Sequence, residues 1–381
     1  MSPIPTELTD HRTATMRAVA VFTEKAASKL PPHAAFPVEL SGVPIHIGLI
    51  DVPLPAFDAT RASGRDRVLI NVKAFSCNYR DQSLLLATAG RPETGYYVIG
   101  SEFCGDVVEV GASVTQMSIG DRVIANAAYD GLCLRTFRSN ARGVPTNHSS
   151  AEYVVIDQDR LVKIPSTMSY AQGAAFTIGA QTSYSMIRRA QLLKGQSVLV
   201  TAACSNTSIF LIAALRQVGV RVFAISRALC HEKRLRDLGV EAVFSIHDEI
   251  RLADTARRLG GFDRVFDPFF DVYFARVIDL VAPEGCYVSC GKYNQLHSSL
   301  GIALNIPPID YAEAMGRVIT NNIRVIGNCL GSREDLETAI SDYLNGKWSI
   351  VIDSTVSGDP VEFLKRTYLA ADRFGKVVYE Y

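Results

Sequence analysis

The chain has 381 residues, of which 48% are hydrophobic and 20% are charged. This length and composition predict a globular protein with two domains. Its 39 basic residues balance 39 acidic ones, which gives no electrostatic reason to expect nucleic acid or an anionic membrane as a partner. The sequence shows no secretory signal and no apolar run long enough to span a bilayer, and its eight cysteines include no CxxC pair. We therefore expect a cytoplasmic protein with reduced thiols.

The first third of the chain is predicted to be rich in β-strands. Residues 68–74 and 106–110 are rich in β-branched side chains and are bounded by turn residues. Residues 153–156 and 161–164 are predicted as two more short strands. A segment without periodicity, residues 126–150, separates the two pairs, and a loop of that length is often functional.

From Ser169 onwards the pattern changes to helices that alternate with strands. Such alternation predicts a parallel, doubly wound sheet. The predicted elements are, in order, helix 171–193, strand 197–201, helix 207–217, strand 220–225, helix 232–238, strand 242–244, helix 250–259, strand 264–266, helix 272–281 and strand 286–290. Residues 311–381 return to mixed structure.

The first strand of this alternation leads into a turn without glycine. A dinucleotide-binding fold uses small residues there, so that the backbone approaches the pyrophosphate and the next helix offers its free N–H groups. Residues 201–208 (TAACSNTS) are small enough, and Asn206 suits a left-handed backbone. Ser205, Thr207 and Ser208 add hydroxyl donors. A capped strand–turn–helix without a ligand fits the same residues, but the surrounding alternation favours a cofactor site.

The residues after the second strand of the alternation indicate which cofactor to expect. An acidic residue at this place binds the ribose hydroxyls of NAD, whereas an arginine suits the 2′-phosphate of NADP. The chain has Ser226 and Arg227 here, with Lys233 one helical turn further on. This predicts NADPH, although an exposed arginine is more commonly just a solvated charge.

Several short motifs, in their order and spacing, make the chain similar to the medium-chain dehydrogenase/reductase superfamily over nearly its whole length. The motifs are residues 78–81 (NYRD), 100–105 (GSEFCG), 120–123 (GDRV), 151–153 (AEY), 195–200 (GQSVLV), 327–335 (GNCLGSRED) and 375–378 (GKVV). The resemblance implies an α/β fold. A GroES-like, β-rich catalytic domain would comprise residues 1–169 and 322–381, and an inserted Rossmann domain with a doubly wound parallel sheet would comprise residues 170–321. It also implies a homodimer, since members often pair through the edge of the Rossmann sheet.

Zinc-binding members of the superfamily have a Cys and a His at positions where this chain has Asn78 and Ser101. Catalytic zinc needs about three ligands from Cys, His or carboxylate, and only Glu102 remains of that set. The four-cysteine lobe that binds structural zinc is also missing. We therefore predict no metal, and the chain is similar to the zinc-free quinone oxidoreductase and enoyl reductase branches, which share the Asn-Tyr-x-Asp segment.

The resemblance also gives candidate catalytic residues. Tyr79 is the first candidate for proton donor, because its segment faces the nicotinamide in relatives and a phenol is protonated at neutral pH. Asn78 is a candidate for orienting the substrate or the nicotinamide, and His148 for an acid or relay because its pKa lies near neutrality. A packed Tyr79 ring and an exposed His148 are the alternatives. Asp81 is expected to cap a helix or to pair with Arg80.

Four further residues are placed near the cofactor by the resemblance alone. Thr182 matches a position on the nicotinamide side, Gly291 and Lys292 match a segment that passes under the nicotinamide, and Asn328 lies in another segment that approaches the cofactor.

These observations together predict an NADPH-dependent, zinc-free reductase. Without a metal the Lewis-acid route to alcohol oxidation is lost, whereas hydride addition to an activated C=C bond needs only hydrogen-bond donors and a proton. The acceptor would be an enone, an enoyl thioester, a dehydroamino acid carried on a peptide, or a quinone. The alternative is a nucleotide-binding protein of the same fold without turnover, which the glycine-free turn leaves open.

Overall fold

The computed structural model describes residues 14–127, 147–227, 229–306 and 308–381. Within these ranges the chain forms three β-sheets, of which two are mainly antiparallel and one is parallel. None of the described helices is long and apolar enough to cross a membrane.

The N-terminal part of the chain supplies most of the two antiparallel sheets. Its elements are β1 (Thr15–Phe22), α1 (Glu24–Ala27), β2 (Phe36–Leu40), β3 (Val43–Pro53), β4 (Arg67–Ser76), α2 (Gln82–Ala89), β5 (Tyr96–Val98), β6 (Glu102–Val110), β7 (Arg122–Ala125), β8 (Tyr153–Asp157) and β9 (Leu161–Lys163). One sheet has the order β2-β3-β1-β5. The second is built around β4, which pairs with β6 and β8. The four strands predicted here, residues 68–74, 106–110, 153–156 and 161–164, are confirmed.

The middle of the chain alternates between helices and strands as predicted. Its elements are α3 (Tyr170–Ala174), α4 (Thr177–Ala190), β10 (Ser197–Val200), α5 (Asn206–Val218), β11 (Arg221–Ser226), α6 (Glu232–Asp237), β12 (Val240–Ser245), α7 (Glu249–Leu259), β13 (Phe262–Asp267), α8 (Phe270–Val277), β14 (Val281–Ser289), α9 (Tyr311–Thr320) and β15 (Arg324–Gly327). The six strands form a parallel sheet of order β12-β11-β10-β13-β14-β15. The order reverses between β10 and β13, and such a switch point opens a crevice at the carboxyl ends of the strands. The predicted α/β fold class is confirmed.

Several boundaries differ from the prediction. The helix expected over residues 171–193 is two helices, α3 and α4. At the break, the backbone N–H of Ile178 donates to the Glu102 carboxylate at 2.6 Å and not to a carbonyl of the preceding helical turn. The helix expected over 272–281 ends at Val277, since Val281 already begins β14. The parallel sheet also extends beyond residue 321, where we placed the end of the Rossmann domain, because β15 is its sixth strand.

The C-terminal tail returns to the β-rich part of the molecule. Its elements are α10 (Arg333–Leu344), β16 (Ile352–Val356), α11 (Pro360–Tyr368) and β17 (Lys376–Glu380). β17 pairs antiparallel with β4, with Tyr379 opposite Phe75. This pairing places Lys376, at the start of β17, beside the N-terminal end of β6.

Candidate active site

Three segments far apart in the sequence meet at the side chain of Asn78. This residue follows β4 and begins the short turn that carries Tyr79. Its Nδ2 donates to Ser101 Oγ at 2.9 Å and to Glu102 Oε2 at 2.7 Å. Its Oδ1 accepts a hydrogen bond from Lys376 Nζ at 2.7 Å. Both amide hydrogens are therefore used inside the protein, so that Asn78 fixes the turn and has no side-chain N–H left for a substrate.

Glu102 and Lys376 form a buried ion pair next to Asn78. The two side chains are 0% and 2% exposed, and their Oε2 and Nζ atoms lie 2.5 Å apart. The other oxygen of Glu102 accepts the N–H of Ile178 at 2.6 Å. A buried charge is tolerated only when it is paired and hydrogen-bonded, and the Lys376 ammonium is the charged partner of the Glu102 carboxylate in this core.

Asp81 closes the same turn from the other end. One carboxylate oxygen, Oδ2, accepts the backbone N–H of Asn78 at 2.6 Å and the hydroxyl of Ser101 at 2.5 Å. Tyr368 donates its hydroxyl to the Asn78 carbonyl oxygen at 3.0 Å. The expected capping role of Asp81 is confirmed, and the turn that carries Tyr79 is rigidly held.

The donor set at this place does not fit a zinc ion. Zinc takes Cys, His or carboxylate ligands, and of Asn78, Ser101 and Glu102 only the last is of that type. Both of its oxygens already accept hydrogen bonds, one of them from the Lys376 ammonium. Within the part of the chain that the structure describes, no group of three or more His, Cys, Asp or Glu residues is placed to hold a metal.

Tyr79 lies in a cluster of aromatic rings between the β-rich part and the parallel sheet. Its ring stacks on Tyr293, with centroids 5.0 Å apart and planes 23° apart. Phe269 and Tyr368 meet it edge-on at 5.0 and 6.5 Å. The hydroxyl oxygen is buried and has no hydrogen-bond partner among the described residues. Burial and, to a smaller extent, the adjacent Tyr293 phenol raise the pKa of Tyr79 far above its ordinary value, and the positive charge of Arg227 opposes part of that rise.

His148 is next in the chain to Asn147, which contacts Ser101 of the Asn78 network. Its Nδ1 is 3.0 Å from the carbonyl oxygen of Val98, and its backbone has a φ of 55°. The preceding Asn147 donates to the carbonyl oxygen of Ser101 at 2.7 Å. The role of His148 as acid or relay stays a prediction.

The glycine-free turn at the end of β10 is folded by its own side chains. Ser205 caps α5 by accepting the N–H of Ser208, whose hydroxyl donates to the Thr201 carbonyl oxygen at 2.8 Å. Ala202 has a φ of 45°, in the left-handed region where glycine is favoured and an alanine costs about 1 kcal/mol. The hydroxyls of Ser205 and Ser208 are thus used in the turn, and a ligand here would meet mainly backbone N–H groups at the start of α5.

Asn206 and Thr207 form the first turn of α5. The side-chain Nδ2 of Asn206 donates to the Ala175 carbonyl oxygen at 3.2 Å, which ties α5 to the end of α3. Its Oδ1 is buried without a hydrogen-bond partner in the described ranges. Thr207 is half-buried, and its carbonyl oxygen accepts the hydroxyl of Ser183 at 3.0 Å.

The two residues predicted to select the cofactor lie at the end of β11. Ser226 is buried, with its hydroxyl 3.3 Å from the Cys204 sulfur in the glycine-free turn. Arg227 is exposed directly after the strand. Lys233 pairs with Asp237 at 2.9 Å on the surface of α6. Ser226 therefore supports the turn, and Arg227 presents its charge to solvent beside it.

The remaining cofactor candidates lie at the same edge of the parallel sheet. Thr182 is buried in α4. Asn328 is also buried, and its Oδ1 accepts hydrogen bonds from Ser185 at 2.9 Å and Arg189 at 3.2 Å. Gly291 and Lys292 are exposed after β14. A side chain at Gly291 would collide with the Pro268 carbonyl oxygen, which explains the glycine.

Four residues of the site were not foreseen from the sequence: Phe269, Tyr293, Tyr368 and Lys376. The aromatic residues gave no signal, because isolated rings in apolar surroundings usually belong to a core. Lys376, by contrast, can be recognised in the sequence. A lysine that begins an apolar strand ending in VVY is unusual unless its charge is paired inside.

Comparison with known proteins agrees with this architecture. Residues 64–166 match the alcohol dehydrogenase GroES-like domain and residues 208–345 match the family called zinc-binding dehydrogenase. The alcohol dehydrogenase of Pyrobaculum aerophilum has a TM-score of 0.72 and 25% identity, with 97% of this chain and 100% of that chain covered. The chain belongs to the medium-chain dehydrogenase/reductase superfamily. Members of this superfamily are oxidoreductases that use nicotinamide cofactors.

Two curated relatives show how widely this superfamily unit is used. The acryloyl-coenzyme A reductase of Sulfurisphaera tokodaii is 25% identical over 326 residues, which cover 83% of this chain and 92% of that protein. The squalestatin hexaketide synthase of Phoma sp. is 28% identical over 244 residues, 62% of this chain but 9% of that protein. The chain thus spans less than a tenth of the length of the synthases that it matches.

Proposed function

We propose that this medium-chain dehydrogenase/reductase is a zinc-free, NADPH-dependent reductase of an activated C=C bond or a quinone. The observation that carries the proposal is the buried Tyr79 hydroxyl, which lies between the β-rich part and the parallel sheet without a hydrogen-bond partner among the described residues. Reduction of a conjugated carbonyl compound needs a proton donor at that place and no Lewis acid.

The protonation state of Tyr79 supports this role. Burial raises the pKa of its phenol, so the hydroxyl keeps its proton throughout the neutral range. An unused buried O–H is unfavourable unless something binds it. An enolate oxygen or the α-carbon of an acceptor would provide that partner, and the turn held by Asn78, Asp81 and Lys376 would keep the hydroxyl in position.

A nicotinamide cofactor fits the residues at the carboxyl edge of the parallel sheet. When bound, reduced nicotinamide supplies the hydride. The N-terminus of α5 offers backbone N–H groups to the pyrophosphate, and the unpartnered Asn206 Oδ1 can accept a bond from a ribose hydroxyl or an amide. Arg227, exposed after β11, suits a 2′-phosphate, and no acidic residue stands at this position to favour NADH.

The names of two relatives support an unsaturated thioester among the acceptors. Acryloyl-coenzyme A reductase and a hexaketide synthase both carry units similar to this chain. An enoyl thioester contains an activated C=C bond, and its reduction needs a proton donor but no metal. Enones, quinones and dehydroamino acids also have a double bond activated by an electron-withdrawing group, and they belong to the same proposal.

The test combines cofactor binding, turnover and metal analysis on the purified protein. Fluorescence titration should give tight binding of NADPH and at least tenfold weaker binding of NADH. Oxidation of NADPH should then require crotonyl thioesters, enones or quinones. Less than 0.1 equivalent of zinc should be present at roughly full activity; stoichiometric zinc needed for activity would overturn the metal-free proposal.

A second candidate function, nucleotide binding without turnover, is favoured by one observation. The side chains of Ser205 and Ser208 are used within the glycine-free turn, and Ala202 adopts a strained left-handed backbone there. A fluorescence signal that neither NADPH nor NADH changes would contradict this second function as well as the first, because both need a bound dinucleotide. Tight binding without oxidation of NADPH by any acceptor would support this second function.

A further inference from the structure

One loop of the parallel-sheet part reaches across to the β-rich part. This cleft loop, residues 291–302, follows β14. Its far end is anchored on the other side, where His297 Nε2 lies 3.1 Å from Ser41 Oγ in the turn between β2 and β3. Ile302 packs against the core of the β-rich part. The cleft loop is therefore held at both ends and forms a wall between the two parts of the molecule.

Tyr293 is fixed within the cleft loop by its backbone and by its ring. The buried carboxylate of Asp271, in the first turn of α8, accepts the N–H of Tyr293 at 2.6 Å and that of Asn294 at 2.8 Å. The His297 ring lies parallel to that of Tyr293, with centroids 6.2 Å apart and planes 4° apart. Two charge-assisted bonds to the backbone and a ring on one face leave the Tyr293 side chain little freedom.

The ring of Tyr293 also stacks on the ring of Tyr79. Tyr293 thus makes stacked ring contacts both with Tyr79, in the rigid turn after β4, and with His297, in the cleft loop. Phe269 and Tyr368 only touch the edges of Tyr79, and both lie at the ends of core elements. A group that approaches the Tyr79 hydroxyl must fit beside the Tyr293 ring or displace it.

We propose that Tyr293 is a specificity-determining residue of the acceptor site. Its ring limits the width of the space in front of Tyr79, so that the protein favours acceptors with a small substituent on the β-carbon. This inference rests on the proposed function, in which Tyr79 protonates the acceptor. Because it assigns Tyr293 to the acceptor and not to the cofactor, a change of Tyr293 should alter the choice of acceptor and leave NADPH affinity unchanged.

Turnover of a graded pair of enones tests the proposal. The ratio of kcat/KM for 4-phenylbut-3-en-2-one to that for but-3-en-2-one should rise at least tenfold in Tyr293→Ala, since one pocket group typically changes discrimination by about 10- to 200-fold. Tyr293→Phe keeps the ring and should keep the wild-type ratio within about twofold of its value. The dissociation constant for NADPH should be equal in all three proteins. An unchanged ratio in Tyr293→Ala, or a ratio that changes only together with NADPH affinity, overturns the proposal.

A second measurement remains decisive if the wild-type protein reduces no enone. Tetranitromethane nitrates the phenolate form of tyrosine, so its reaction with Tyr79, followed by peptide mass spectrometry, reports exposure of the Tyr79 hydroxyl to solvent. Nitration should be at least tenfold faster in Tyr293→Ala than in the wild type and unchanged in Tyr293→Phe. Equal rates in all three would overturn the covering role of Tyr293. Faster nitration without any turnover would instead contradict the proposed reductase function and leave Tyr293 as the gate to Tyr79.

Discussion

Tyr79 and Asn78 are neighbours in the chain, yet their side chains are in opposite hydrogen-bonding states. Both amide hydrogens of Asn78 and its Oδ1 are used by Ser101, Glu102 and Lys376. The Tyr79 hydroxyl has no partner among the described residues. A buried polar atom that the protein leaves unsatisfied is a natural contact for a ligand. At the scale of single residues, Tyr79 is therefore suited to act on the acceptor, and Asn78 is suited to hold Tyr79 in position.

Substitution of Tyr79 by Phe tests this division of roles. Removal of the hydroxyl takes away the proton donor but keeps the ring between Tyr293 and Phe269. Turnover should fall by roughly 10²- to 10⁴-fold, the range for loss of a general acid, with NADPH affinity unchanged. Tyr170→Phe is the matched control, because that hydroxyl donates to Asp106 outside the aromatic cluster. Equal turnover in both variants would remove Tyr79 from the mechanism.

Arg227 carries the prediction of cofactor choice. Its substitution by Ala removes an exposed guanidinium at the end of β11. NADPH binding should weaken by roughly 10- to 100-fold, the equivalent of about 1.5–3 kcal/mol for a charged hydrogen bond, and NADH binding should stay the same. Arg257→Ala, which removes an exposed arginine from α7, should affect neither. An equal loss of both cofactors in Arg227→Ala would show that this residue does not bind the 2′-phosphate.

At the scale of elements, the Glu102–Lys376 pair links β6 to β17. Lys376→Met would leave the Glu102 carboxylate buried without its cation, which typically costs about 3–5 kcal/mol. Urea unfolding should show a loss of that size. In the double variant Lys376→Met with Glu102→Gln no buried charge remains, so part of the loss should be recovered. A double variant as unstable as the single one would mean that the pair matters through packing and not through charge.

Asp267, at the end of β13, predicts a dependence of stability on pH. Burial raises its pKa from 3.8 to about 6, against hydrogen bonds from Thr201, Tyr287 and the Phe269 N–H that lower it. An acid with a higher pKa in the folded state binds its proton more tightly there, so its ionisation opposes folding. This group should therefore reduce the free energy of unfolding between about pH 4 and pH 6, by about 3 kcal/mol in total.

The variant Asp267→Asn isolates that contribution. Its amide can keep the same three partners, with Oδ1 accepting from Thr201 and Phe269 and Nδ2 donating to the Tyr287 oxygen. The variant should lose less stability than the wild type as the pH rises from 4 to 7, as measured by urea unfolding at each pH. Parallel pH profiles for the two proteins would show that the Asp267 pKa is not raised.

The predicted elements show what periodicity alone can give. The alternation from Ser169 onwards was sufficient to predict the parallel sheet, because each buried strand is an apolar run bounded by turn residues. The four-stranded sheet was not predicted, since β1 is apolar on both faces and lacks the alternation that marks a strand. The break between α3 and α4 was also hidden, because it depends on Glu102, a residue 76 positions away from Ile178.

At the scale of the whole molecule, the site depends on contacts between distant parts of the chain. Lys376 lies 298 positions from Asn78 and 274 from Glu102. The tail brings it back by pairing β17 with β4, a contact that no local pattern encodes. Motif order was enough to place Asn78, Tyr79 and Ser101 near one another, whereas the partners that use or cover them emerged only from the fold.

The molecule also has an exposed apolar face that supports the proposed homodimer. Tyr311, Met315 and Ile319 recur every four residues on α9, and all three are exposed. Val325, also exposed, lies on β15, an edge strand of the parallel sheet. An apolar stripe on a surface helix beside a free strand edge is typical of an interaction surface. We therefore propose that two copies of the chain pair through α9 and β15.

A charge placed in this stripe should separate the two copies. Ile319→Asp puts a carboxylate where the interface would bury an isoleucine that is 69% exposed in the single chain. Light scattering coupled to gel filtration should give a dimer for the wild type and a monomer for this variant. Ile119→Asp is the control, because Ile119 is 67% exposed and lies between β6 and β7, away from the face. A wild-type monomer would contradict the homodimer. A dimer that survives Ile319→Asp but not Ile119→Asp would place the contact elsewhere.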